Sequence, residues 1–223
     1  MKKKLDQYTG PLHPGQIAEG MNAAINNSAR LLEDAIILFD ASRYPSACAL
    51  AILSIEEAGK ASILRGMSCL GQNNEFYESW KNYRNHTKKN AQWMLPSLVL
   101  QGAKSLSDLS SLFDTSSEHP YILDQLKQVA FYTDCLGKAH WSKPIDVIDK
   151  ELAQMIIFSA KALCQNRYVT IDEIKLWVKN LKPVWGKFQE RMKIGLTNWR
   201  KECIEIGLIV DSEYEFNKFV YGE

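Results

Sequence analysis

Between Ser46 and Leu64 the chain reads Ser-Ala-Cys-Ala-Leu-Ala-Ile-Leu-Ser-Ile-Glu-Glu-Ala-Gly-Lys-Ala-Ser-Ile-Leu, an apolar helix interrupted at its centre by two adjacent glutamates. Neighbouring helical positions point about 100° apart, so the two carboxylates cannot share one polar stripe. Glu57 falls in line with Leu50, Leu53, Ala61 and Leu64, and Glu56 with Ala49, Ile52 and Ile63. Each is flanked by apolar side chains, where an unpaired charge is costly to bury. Lys60, four residues beyond Glu56, can serve only one of them well. Further partners must come from elsewhere in the fold. Two readings stand: a structural ion pair inside a helix bundle, or a glutamate that orients a reacting group in a cleft.

The flanking sequence extends the helical pattern. Ile17, Met21, Ala24, Ser28, Leu31, Ala35 and Leu38 recur at three and four, the period of an amphipathic helix. Ser42-Arg43-Tyr44-Pro45 is a short break with a proline suited to a first helical turn, so the two helices form an antiparallel hairpin. On the second helix Ile55, Gly59, Ser62, Gly66 and Cys69 make a small-residue stripe, for close packing within the chain or for a dimer seam. A third helix is predicted from Asn74, with Phe76, Trp80, Tyr83, Thr87, Ala91 and Met94 inward until Leu95-Pro96 interrupts it. A fourth runs from Ser97 to about Phe113, and a fifth carries Ile122, Leu123, Leu126, Val129, Ala130 and Thr133. Gly137 to Pro144 is read as a loop. A sixth helix holds Ile148 to Leu163, a seventh starts at the capping box Thr170-Ile171-Asp172-Glu173, and a last ends near Ile206. No segment alternates convincingly as a strand. The expected fold is all-α.

A net charge of +1 excludes a globally basic nucleic-acid binder, but the charge is uneven. Residues 16–80 hold eight acidic and four basic side chains, whereas 174–201 hold eight basic and one acidic, Glu190. A local nucleic-acid face on those last helices stays open, although the spacing of Trp177, Trp185 and Trp199 favours core positions over base stacking. Five scattered cysteines without CxxC spacing argue for a reducing compartment and against a zinc site. The longest apolar run, Ala47 to Leu53, cannot span a membrane, and the basic opening leads into no signal-peptide core. These features predict a cytoplasmic protein without membrane contact.

Polar chemistry concentrates in Lys81, Arg84, Asn85, His86, Lys88 and Lys89. Histidine exchanges protons near neutral pH, a fixed arginine stabilises a phosphate oxygen, and asparagine orients a partner. Together they form a toolkit for metal-independent RNA cleavage, in which a base frees the 2′-hydroxyl to attack its own phosphate. The plain alternative is a solvated basic face with one histidine. His13, His119 and His140 sit in loops and are weaker candidates. The four histidines lack metal-ligand spacing, and Glu56 with Glu57 alone make no carboxylate cage, so neither metal nor cofactor is expected.

Leu32-Glu33-Asp34-Ala35, Arg43-Tyr44-Pro45-Ser46-Ala47 and Ala51-Ile52-Leu53-Ser54-Ile55-Glu56-Glu57-Ala58-Gly59-Lys60, followed by Phe76…Trp80…Tyr83-Arg84-Asn85-His86-Thr87-Lys88-Lys89, resemble the AbiV branch of the HEPN superfamily. Tyr132-Thr133-Asp134 and Trp141-Ser142-Lys143-Pro144 add to the likeness, which spans roughly residues 15–165. The resemblance implies a HEPN-type helical bundle with additional C-terminal helices, a homodimer with clefts at its interface, and defence against phage by abortive infection. HEPN nucleases carry a histidine several residues beyond their arginine; here His86 follows Arg84-Asn85 directly, and Lys89-Asn90 stand at the expected place.

The resulting division is an N-terminal arm (1–14), a HEPN-like core (15–165) and a C-terminal helical extension (166–223). The reading is an endoribonuclease acting during infection. His86 is its general acid/base, Arg84 its phosphate stabiliser and Asn85 its orienting group. Lys88 and Lys89 hold RNA, while Glu56, Glu57 and Lys60 fix the cleft, with Glu57 buried and paired. Expected partners are an RNA substrate, a second copy and a phage-encoded activator or regulatory protein. The rivals are a non-enzymatic module that binds a phage or host protein, and an RNA binder without cleavage.

Overall fold

His13 begins the fold: its ring accepts the Gln16 N–H at 3.3 Å while the Gln16 side chain accepts the His13 N–H at 3.1 Å, a reciprocal cap. In the computed structural model, which describes residues 6–114, 118–164, 167–210 and 212–222, this cap starts α1 (Pro14–Asp40). A turn through Ser42, at φ 59°, reverses the chain into α2 (Tyr44–Met67). The two helices are clasped at mid-length. Ser28 Oγ donates to the Ser54 carbonyl at 2.9 Å, and Ser54 Oγ to the Ser28 carbonyl at 2.8 Å, all four groups buried.

After the hairpin come α3 (Asn74–Arg84), α4 (His86–Lys89), α5 (Leu95–Leu100), a 3-10 turn (Ser107–Phe113) and α6 (His119–Phe131). Two short antiparallel strands, β1 (Asp134–Leu136) and β2 (His140–Ser142), precede α7 (Pro144–Val147) and α8 (Lys150–Leu163). The C-terminal part holds α9 (Ile171–Leu181), a 3-10 turn, α10 (Gln189–Glu205) and α11 (Glu213–Tyr221). The protein is all-α apart from that hairpin, and no helix among the described residues is long and apolar enough to cross a membrane.

Four details correct the sequence reading. The third helix stops at Asn85, which is extended (φ −86°, ψ 128°) because its side chain caps a new helix. The fourth ends at Leu100, where Gly102 takes φ 105°, a conformation open chiefly to glycine. The supposed loop at 137–144 contains strand β2, joined to β1 by a turn in which Gly137 and Ala139 are left-handed. A further helix, α11, follows the expected last one.

Packing ties the extension to the bundle. One core joins α1, α2, α6 and α8. A second places Ile17, Met21, Met67, Phe76 and Trp80 against Val169 and Ile174 of the extension. Asn22 seals this junction, donating to the Val169 carbonyl at 2.9 Å and accepting its N–H at 2.8 Å. The small-residue stripe of α2 is used inside the chain. A Cβ on Gly59 would lie 2.0 Å from the Lys89 carbonyl oxygen, so glycine is what lets α4 approach; Gly66 faces Trp185.

Candidate active site

Glu56 projects from the middle of α2 and is 2% exposed. Three groups from two other helices meet its carboxylate. Lys127 Nζ of α6 lies 2.6 Å from Oε1, His86 Nδ1 of α4 2.6 Å from Oε2, and Lys89 Nζ of α4 3.2 Å from Oε2. Lys127 also binds Asp124 Oδ1 at 2.8 Å. Burial pushes the Glu56 carboxyl up, but the hydrogen bonds from Lys127 and His86 and the two ammonium charges outweigh it and hold the group below its ordinary value. Burial likewise depresses Lys127, and Asp124 and Glu56 together more than offset this, so its pKa is raised. Glu56 and Lys127 therefore each favour the charged form of the other.

His86 differs from its neighbours: its side chain is 57% exposed although Nδ1 is tied to a buried carboxylate. A carboxylate at Nδ1 favours the proton there and leaves Nε2, across the ring, as the acceptor facing solvent. The local sequence makes this possible. Asn85 Oδ1 accepts from Thr87 N–H at 3.0 Å and Thr87 Oγ1 at 2.8 Å, starting a four-residue helix whose first residue is His86. Gly59 lets that turn press on α2. Glu56, His86 and Asp124 offer ligand atoms within 4.8 Å of one another, a spacing a cation could use. Lys127 Nζ, however, already bridges the two carboxylates, so an ammonium stands where a metal would have to enter.

The other sequence candidates disperse. Arg84 donates to the Tyr8 carbonyl at 2.5 Å and the Trp80 carbonyl at 3.3 Å, and lies 4.9 Å over the Trp80 ring, pinning the N-terminal arm. Among the described residues of one chain it shares no partner with His86. Asn85 is spent on its cap. Lys89 is 6% exposed and faces Glu56, whereas Lys88 is exposed on the side of Trp185. Glu57 is not the buried glutamate: it pairs with Lys60 at 2.5 Å, both half-buried, and Lys60 lies over Tyr83. One residue of helical rotation separates the two outcomes.

Lys127 and Asp124 were not singled out from the sequence. Their signal was available: Lys127 interrupts the buried stripe Leu123, Lys127, Ala130 at helical spacing, and an inward lysine needs a carboxylate. Of the other histidines, His13 caps α1, His119 Nε2 is 2.8 Å from the Ala91 carbonyl, and His140 is exposed in β2. On the extension, Trp177 and Trp199 are core residues, and Lys175, Lys179 and Lys193 pair with Asp172, Glu202 and Glu190.

The helical hairpin and the helices packed on it form a bundle of the HEPN class. Within that class the chain belongs to the AbiV family, whose model matches residues 16–165. No curated protein and no solved structure matches it.

Proposed function

We propose that this protein acts in abortive infection as a metal-independent endoribonuclease, with His86 as the proton-transfer group and Glu56 as the residue that positions it. The observation carrying this reading is the 2.6 Å contact between exposed His86 and buried Glu56. A histidine on an ordinary basic face has no need of a buried carboxylate neutralised by two lysines. An imidazole held this way presents Nε2 to a 2′-hydroxyl in a fixed tautomer, as general-base catalysis requires. Lys127 between the carboxylates favours proton chemistry over metal chemistry at this spot.

The test is RNA integrity in cells expressing the protein during phage infection, and cleavage by purified protein. His86→Ala is expected to lower cleavage by about 10²–10⁴-fold while leaving the fold intact, and EDTA to leave it unchanged. Undiminished protection by folded His86→Ala would instead favour a non-enzymatic interaction module.

We further propose a homodimer formed through the hairpin region, in which the partner's Arg84 completes the phosphate site. Tyr132, Trp141 and Ile145, in and beside the β1–β2 hairpin, are 62%, 70% and 67% exposed, and the proposed interface would cover them.

A further inference from the structure

A groove of about 240 Å³ opens beside α4, between the C-terminal end of α2, α3 and the segment that follows α9. Met67 and Leu70 line it with apolar surface, and Trp185 forms part of its wall. Unlike Trp177 and Trp199, Trp185 is only half-buried. It is held in place all the same: a Cβ on Gly66 would stand 3.3 Å from its Cζ2, and its ring makes a T-shaped contact with Trp177 at 6.3 Å. Two polar groups of α3 face the same groove. Ser79 Oγ donates to the Glu75 carbonyl at 2.9 Å and keeps its lone pairs, while the Asn82 amide makes no hydrogen bond among the described residues. Lys88, two residues beyond His86, supplies a cation, and none of the described lining residues is acidic. Lys182 lines an adjoining cleft that shares Met67 and Leu70, and Lys187 and Phe188 follow Trp185 closely in the chain. Phe188 is 84% exposed. Lys88, Lys182 and Lys187 are exposed and form no ion pair among the described residues, whereas Lys175, Lys179 and Lys193 all do.

We propose that this groove is a base-binding subsite for single-stranded RNA. One unpaired nucleobase stacks on Trp185 with its edge toward Asn82 and Ser79, while Lys88, Lys182 and Lys187 hold the neighbouring phosphates. The choice of polymer rests on the ribonuclease reading. An aromatic wall among unpaired lysines is the chemistry of single-strand binding, since every base has a face to stack and each phosphate neutralises a cation. A purely apolar occupant would cover the amide and the hydroxyl without giving them partners, which is costly; a base edge pairs with both. A duplex keeps its bases stacked inside and offers none to such a groove. At 1.5 Å per residue, α2 runs about 10–17 Å from Glu56 to Ile63 and Met67, so the groove receives a base flanking the scissile phosphate. Trp185 and two of the three lysines lie beyond residues 16–165, so this contact comes from the C-terminal extension.

Binding is measured with full-length His86→Ala protein, so that no cleavage intervenes, by fluorescence anisotropy of a labelled single-stranded RNA and of a duplex of the same sequence. The single strand is expected to bind saturably and to quench tryptophan emission. Trp185→Ala is expected to weaken it about tenfold and to leave the duplex unchanged, whereas Trp185→Phe keeps a stacking face and most of the affinity. Lys88→Gln is expected to lower the salt dependence by about one phosphate contact. Circular dichroism establishes that each variant is folded. Should Trp185→Ala fail to fold, Ser79→Phe, which fills the groove from a half-buried position on α3, decides in its place with the same expected loss. Cleavage is assayed separately with His86 intact, and Trp185-dependent binding without cleavage counts against the ribonuclease reading alone. No saturable binding of the single strand, equal affinity of parent and folded Trp185→Ala, or an equal loss for the duplex would each overturn the subsite.

Discussion

Removing the Glu56 carboxylate leaves Lys89 and Lys127 buried without their shared counter-charge. Glu56→Gln is therefore expected to cost roughly 3–5 kcal/mol, read from the urea midpoint. Glu57→Ala breaks only a half-buried pair with Lys60 and is expected to cost about 1 kcal/mol or less. Equal midpoints for the two variants would contradict the burial described. Glu56 binds its proton less tightly when folded, so its stabilisation is complete above the ordinary glutamate value of 4.5 and fades as pH falls through its depressed folded value. Lys127 binds its proton more tightly when folded. Its contribution is complete below 10.5 and fades as pH rises through the raised folded value. The acid-side loss of stability is expected to be shallower in Glu56→Gln than in the wild type, measured by urea melts between pH 7 and pH 3.

At the scale of elements, α4 is a four-residue helix that would not persist alone, and two contacts besides its ties to Glu56 help to hold it. One is the Asn85 cap. Asn85→Ala is expected to cost about 0.5–2 kcal/mol and to lower activity by loosening His86, whereas Asn85→Asp keeps a cap acceptor and rescues both. A group that donated to substrate through its amide would not be rescued by aspartate, so the pair of variants separates positioning from substrate contact. The other contact is the approach of α4 to Gly59. Gly59→Ala has to push the Lys89 backbone away, and is expected to cost about 1–3 kcal/mol. Unchanged stability would show that α4 moves freely.

For the whole molecule, the proposed hairpin interface predicts a dimer by sedimentation at micromolar concentration, with Trp141→Lys shifting it to monomer. A symmetric dimer uses one self-complementary patch on both subunits. Since Arg84 and His86 have separate partners within a chain, mixing Arg84→Ala with His86→Ala protein and allowing exchange is expected to restore cleavage in the heterodimer. Verified exchange without activity would rule out a composite site.

The chain's own pattern determined the helical hairpin, since the heptad-like stripe of α1 and the proline that closes the short break after it leave little other choice. It also located a demand: two glutamates on an apolar helix need partners, and His86 stood nearby in a polar cluster. Which glutamate was buried depended on about 100° of helix rotation, and both faces of α2 are apolar, so periodicity could not choose. Only the tertiary structure brought Lys127 from seventy-one residues away, turned Lys89 inward and Arg84 toward the N-terminal arm. Local sequence sets backbone propensity and periodicity; the pairing of buried charges is settled by which distant helix happens to lie within hydrogen-bond reach.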